Sequence, residues 1–207
     1  MLFDGHSDVL YALNRWHQRG EWDVFRRRYR AIFAQGPVVG GIFVLWSNPE
    51  EPVSAAEQLA QQLQTVQEEV KQAADCLTWA RTAADLQQGQ QQKKLAFVLG
   101  LEGLDGCVQE AAAIDWLHAQ GVRHISLTWN GANGFASGVH SYGGLTAIGR
   151  QAVRRVQQKR MLLDVAHLND TSMKDVLQLA DGPIIASHCN SRRLCNVSRN
   201  LTDGQAK

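Results

Sequence analysis

An α/β fold of the TIM (β/α)8 type, with about six βα units present, is what the sequence predicts. Three observations carry that expectation. Short apolar, β-branched runs alternate with helical stretches, the pattern of βα units in a parallel sheet. Several runs are apolar throughout, as in Ala96-Phe97-Val98-Leu99, which suits strands covered on both faces. The runs start near residues 2, 41, 95, 124, 161 and 183, a spacing of roughly 36 residues per unit that falls within the range of (β/α)8 barrels. Two further units would need about 70 residues more on that scale. The 207-residue chain is therefore expected to form a single, partial barrel domain over residues 1–207 that lacks its last quarter.

The elements follow in chain order. The six expected strands are Leu2 to Asp8, Gly41 to Trp46, Leu95 to Leu101, His124 to Thr128, Met161 to Ala166 and Pro183 to Ser187. Between the second and third, Ser54 and Glu57 make a capping box, and Leu59, Leu63, Val66 and Val70 follow on one helical stripe. The glutamine-rich segment Gln87 to Gln92 reads as an exposed turn leading into the third strand. A helix is expected from Val108 to Gln120, stopped by Gly121 as a left-handed C′ residue. The segment Gly131 to Gly144 holds five glycines and follows the fourth expected strand, where barrel enzymes keep active-site loops. Thr146 to Lys159 predicts a helix burying Ala152, Val153 and Val156. Another, starting near Asn169 or Asp170, presents Met173, Val176, Leu177 and Ala180.

Composition narrows the function classes. Lys and Arg number 21 against 20 Asp and Glu, a formal charge of +1, and the one basic cluster, Arg26 to Arg30, reads as a solvated face. Neither nucleic acid nor a membrane is an expected partner, because there is no basic face and no apolar run approaching ~18 residues. The opening Met1-Leu2-Phe3-Asp4-Gly5 carries no leader pattern. Cys76, Cys107, Cys189 and Cys195 form no CxxC pair and are expected to be free thiols in the cytoplasm.

Five metal-type ligands stand at or just past the C-terminal ends of expected strands: His6 and Asp8, Glu102, His167 and His188. Strand residues two apart point the same way, so His6 and Asp8 can face one ion together. Barrel enzymes draw catalytic residues from the ends of several strands, which is the distribution here. Imidazole nitrogens with carboxylate oxygens suit Zn²⁺ and similar divalent ions. Glu102, central in order, suits a bridge between two of them. His17, His118 and His124 read as structural, and His140, in the glycine-rich loop, as a substrate-loop candidate.

With these residues in view, the chain resembles the membrane dipeptidase (renal dipeptidase) family, peptidase family M19, in its bacterial branch. The matching segments are Asp4-Gly5-His6-Ser7-Asp8, Gly100-Leu101-Glu102-Gly103, Leu127-Thr128-Trp129-Asn130, Leu163-Asp164-Val165-Ala166-His167 and Ser187-His188-Cys189-Asn190-Ser191-Arg192. Ser198-Arg199-Asn200-Leu201-Thr202-Asp203 follows, with Arg199 eleven residues after His188. The resemblance implies a metal-dependent hydrolase barrel that cleaves dipeptides with two Zn²⁺, other divalent ions being alternatives. His6 and Asp8 would hold one ion, His167 and His188 the other, and Glu102 both. A hydroxide shared between them would attack the peptide carbonyl, and Arg199 would bind substrate through its guanidinium fork. Where the animal enzymes have a histidine, this chain has Trp129, for which packing is the expected role. The family's catalytic aspartate is expected beyond Lys207, so the catalytic acid or base is unassigned.

Other function classes fit the same residues. One is a truncated, inactive paralogue that binds metal or a partner chain. Another is a related hydrolase acting on lactones or phosphoesters, since a fold does not fix a substrate. Open strand edges predict association, as a homo-oligomer or with a completing C-terminal segment.

Overall fold

The computed structural model describes residues 1–207. They divide into two compact units, Met1–Leu101 and Glu102–Lys207. All paired strands are parallel, with helices between them, as the α/β expectation requires.

In the first unit, β1 (Leu2–Ser7) leads into α1 (Val9–His17), a π-helical turn (Phe25–Tyr29), α2 (Arg30–Gln35) and β2 (Val38–Trp46). After these come α3 (Ala55–Gln72), β3 (Leu77–Ala80), α4 (Ala83–Gln91) and β4 (Leu95–Glu102), whose last residue opens the second unit. The strand order is β1-β2-β4, with β3 also on β4 in the register Leu77 to Leu95 through Ala80 to Val98. The expected capping box forms at Ser54 and Glu57, and α3 buries Leu59, Leu63 and Val66. Phe43 and Phe97 stack at 5.0 Å between centroids and 13° between planes. Phe33 continues the column on one side and Trp79 on the other, each ring pair adding about 0.5–1.5 kcal/mol beyond area burial.

Two expectations are corrected in this unit. The strand β3 was not anticipated, so seven strands are present and the strand expected as sixth is the seventh. The segment Gln87 to Gln92 is helical through Gln91 rather than a turn; Thr82 and Asp85 make a second capping box at its start. That helix lies so close to the sheet that a Cβ on Gly89 would stand 2.8 Å from the Ala96 Cβ.

The second unit holds α5 (Ala113–Ala119), β5 (His124–Ser126), α6 (Ala147–Gln158), β6 (Leu162–Asp164), α7 (Asp170–Leu179) and β7 (Ile184–Ile185). The strands run in the order β5-β6-β7, pairing Ser126 with Asp164 and Asp164 with Ile185. Thr146 and Asn169 cap α6 and α7 through side chains that accept from the Gly149 and Ser172 amides. Ala152, Val153, Val156, Met173 and Val176 are buried as expected. Leu177 instead lies on the exposed side of α7, and α5 begins at Ala113 rather than Val108. The four cysteines are free. No helix is long and apolar enough to cross a membrane.

Candidate metal centre

Each unit contributes its own part of the expected ligand set. In the first, His6 lies near the end of β1 and Asp8 follows it as the residue before α1. Their side chains face each other, Nε2 to Oδ1, at 3.4 Å. Asp8 does not spend its carboxylate on the helix, for no side-chain cap hydrogen bond forms there.

In the second unit Glu102, His167 and His188 come together. Each stands at or three residues beyond the C-terminal end of its strand: Glu102 ends β4, His167 follows Asp164, and His188 follows Ile185. Glu102 Oε1 lies 2.8 Å from His167 Nε2 and 3.4 Å from His188 Nε2, and the two Nε2 atoms are 2.8 Å apart. The outer nitrogens are already engaged: His167 Nδ1 lies 2.8 Å from the Asn130 side-chain oxygen, and His188 Nδ1 lies 2.7 Å from Ser187 Oγ. An amide oxygen only accepts, so His167 carries its proton on Nδ1 and turns a bare Nε2 inward. Burial lowers the pKa of His167; Glu102 opposes the drop, while Arg199 and His188 add to it. The neutral imidazole that results is the form that binds metals.

His167 has φ +71°, a left-handed backbone that costs a non-glycine residue about 1–2 kcal/mol. Asn130 and the loop behind it are held by a close backbone approach. Gly138 donates to the Gly131 carbonyl at 2.8 Å, and a Cβ on Gly138 would stand 2.2 Å from the Trp129 carbonyl oxygen. The Trp129 ring tilts against His167 at 6.1 Å. His140 uses its backbone to bond the Asn130 carbonyl, at 2.8 Å, and its side chain is exposed.

Arg199 lines a cleft with His167 and Cys189, and its Nη1 reaches the Cys189 sulfur at 3.5 Å. Arg192, by contrast, is spent on structure, in a two-pronged contact with Asp170. Asn130, Ser187 and Asp164, which tie the ligands in place, had no role assigned from the sequence although all three lie within the quoted segments.

The donor set fits a divalent cation. Ligand atoms about 2.1 Å from a tetrahedral zinc stand about 3.4 Å from one another, the separation of Glu102 Oε1 from His188 Nε2, while the other two pairs, at 2.8 Å, lie closer. With the His167 proton on Nδ1, its Nε2 and Glu102 Oε1 are both acceptors only 2.8 Å apart, an approach that a shared cation would stabilise.

The membrane dipeptidase (peptidase family M19) family model matches residues 1–207. A protein from the pqqA 5′ region of Klebsiella pneumoniae is 34% identical over 78% of this chain and 61% of its own length. The dipeptidase verJ of Clonostachys rogersoniana is 25% identical over 98% of this chain and 58% of its own. The chain thus spans about three fifths of each of these relatives. Among solved structures, a metallo peptidase from Rhodobacter sphaeroides, liganded with a phosphinate mimic of the dipeptide L-Ala-D-Ala, superposes with a TM-score of 0.89 at 22% identity, over 99% of this chain and 69% of that one. That likeness shows the fold, a partial TIM-type barrel of parallel βα units. The match along its whole length makes this chain a member of the membrane dipeptidase family, peptidase family M19.

Proposed function

We propose that the chain is a dinuclear metallodipeptidase domain, residues 1–207 acting as one partial barrel, with zinc as its metal. His6 and Asp8 hold one ion, His167 and His188 the second, and Glu102 both. The observation that carries the reading is the set of inward-facing atoms Glu102 Oε1, His167 Nε2 and His188 Nε2, mutually 2.8 to 3.4 Å apart. Its outer tie to Asn130 belongs to the pattern by which metal-binding histidines are oriented. Two divalent ions in such a set supply a polarised carbonyl and a water of lowered pKa.

The chain's own residues do the remaining work. Arg199, on the cleft it shares with His167, presents a fixed guanidinium fork to the substrate carboxylate. Asn130 keeps His167 from turning when substrate enters. The substrate class, a dipeptide, is supported by the verJ dipeptidase and by the dipeptide mimic held by the Rhodobacter enzyme. Four unpaired cysteines support a cytoplasmic setting.

Elemental analysis of the purified, monodisperse chain, followed by hydrolysis of L-Ala-D-Ala before and after chelation, tests the reading. About two zinc per chain and chelator-sensitive hydrolysis are expected. A folded chain that takes up no zinc overturns it. Two equivalents without turnover on any dipeptide would reassign the chain as a non-catalytic, metal-binding paralogue.

A further inference from the structure

We propose that His124, Asp164 and Ser187 form a positioning chain that fixes the proton of His188 on Nδ1 and presents a bare Nε2 to a divalent cation. The proposal rests on the reading of His188 as a ligand and adds three residues that touch neither metal nor substrate.

The argument is a count of donors and acceptors. Asp164, fully buried at the end of β6, accepts four hydrogen bonds. The amides of Ala166 and Ser187 donate to Oδ1, at 2.9 and 3.1 Å. His124 Nε2, at 2.9 Å, and the Ser187 hydroxyl both donate to Oδ2. A carboxylate only accepts, so the single hydroxyl proton of Ser187 is committed to Asp164. The Ser187 oxygen can then only accept from its other neighbour, His188 Nδ1 at 2.7 Å. His188 must therefore carry a proton on Nδ1, and in the neutral imidazole the nitrogen facing Glu102 and His167 is left with its lone pair.

The far end of the chain shows that it positions rather than conducts. His124 is fully buried, and its Nδ1 has no hydrogen-bond partner. No proton can enter or leave there, so His124 is a fixed donor that anchors the carboxylate. The strand pairing brings these residues together: β5, β6 and β7 are adjacent and parallel, which sets His124 on β5 and Asp164 on β6 beside Ser187, two residues past the end of β7.

Asp164→Asn reverses the order. Its amide NH2 would donate to Ser187 Oγ, the hydroxyl would turn to donate to His188 Nδ1, and His188 would carry its proton on the inward Nε2. A substitution one atom different and two residues removed from the cation would thus block a ligand. Misplaced tautomers of this kind are costly wherever a carboxylate orients an imidazole, and loss of such ties lowers metal affinity about 10- to 100-fold.

The test combines two readouts at pH 8. Long-range proton–nitrogen correlation spectra of the metal-free protein report which nitrogen of each histidine is protonated. Competition with a chromogenic chelator reports zinc affinity. Wild type is expected to show Nδ1–H on His188, and Asp164→Asn to show Nε2–H with affinity lower by 10- to 100-fold. Ser187→Ala should lose affinity by a similar factor, and Ser187→Thr, which keeps the hydroxyl, should restore it. Nε2–H on His188 in wild type, a measurement that needs no variant to fold, overturns the proposal. So does an Asp164→Asn protein with unchanged tautomer and affinity. Wild type with Nδ1–H on His188 but no zinc uptake would leave the hydrogen-bond chain standing and remove the metal reading it serves.

Discussion

Replacing Glu69 by alanine tests how the first unit holds its ligand pair. Glu69 lies on α3, 1% exposed, and its carboxylate meets three donors. Val24 N–H reaches Oε1 at 2.9 Å, Phe25 N–H reaches Oε2 at 2.7 Å, and His17 Nε2 lies 2.5 Å from Oε1. The two amides open the π-helical turn and belong to residues at most 1% exposed, so water cannot replace the lost acceptor. Orphaning a buried donor costs about 1–3 kcal/mol. Three such donors, less the relief of no longer burying a charge, give about 4 kcal/mol, a large share of the ~5–15 kcal/mol typical of a domain. With a urea dependence of about 2 kcal/mol per molar, the unfolding midpoint should fall by about 2 M. Glu69→Gln keeps an acceptor oxygen and should lose about half as much. The effect bears on the site because His17 closes α1, the helix that begins directly after Asp8. Amide exchange at Val24 and Phe25 should quicken in step with the loss of stability. An alanine variant within 1 kcal/mol of wild type, with those amides still protected, would refute the reasoning.

Asn130→Leu removes the tie on His167 Nδ1 and should weaken zinc binding about 10- to 100-fold, read by chelator competition; an unchanged affinity would mean that packing by Trp129 alone orients the ring. Acid should destabilise the fold through Asp164: burial opposes its charge, but His124, Ser187 and the Ala166 amide hold its carboxyl below the usual carboxylate range. The unfolded chain then binds more protons than the folded one, so this contribution is complete above about pH 4 and is lost as pH falls further. Urea midpoints measured from pH 5 to pH 2 check the slope, which Asp164→Asn should flatten. Thiol labelling at pH 8 should modify exposed Cys195 first and leave Cys107 slow, because burial and then Asp105 push its thiol up to about 12. Peptide mapping of a brief labelling pulse decides between them.

Much of the fold is legible in the sequence where burial writes it plainly. The strands β2 and β4 are almost continuous apolar runs, and α3 and α6 show clean stripes below a capping residue. The unit β3-α4 escaped because neither half advertises itself. Leu77-Thr78-Trp79-Ala80 is four residues long, with neither glycine nor proline separating it from α3, and its alternation is too brief to register as a period. The helix α4 lacks an apolar stripe because it meets the sheet through Gly89, where close approach replaces side-chain burial. The signal that was present, a Thr-x-x-Asp capping box at Thr82, precedes a run of glutamines instead of an apolar one. Leu177 failed for the opposite reason: an apolar residue beside a stripe need not join it, and surfaces keep many of them.

The site divides along a different line. Ligand identity is a matter of residue type and strand-end position, so His6, Asp8, Glu102, His167 and His188 can be singled out without coordinates. What makes a histidine a ligand rather than a base or a hydrogen-bond donor is the location of one proton, and that depends on which neighbour accepts and which donates. His124 and Asp164 lie on β5 and β6 and Ser187 two residues past β7, and nothing in their spacing of 40 and 23 residues ties them together until β5, β6 and β7 pair in parallel register. His124 then reads differently from a histidine that merely begins a strand. It supplies the donor that keeps Asp164 an acceptor, Asp164 claims the only proton Ser187 has, and Ser187 leaves His188 a single tautomer. The choice of aspartate over asparagine at position 164 is therefore a choice about the inward nitrogen of His188, made through two intervening hydrogen bonds.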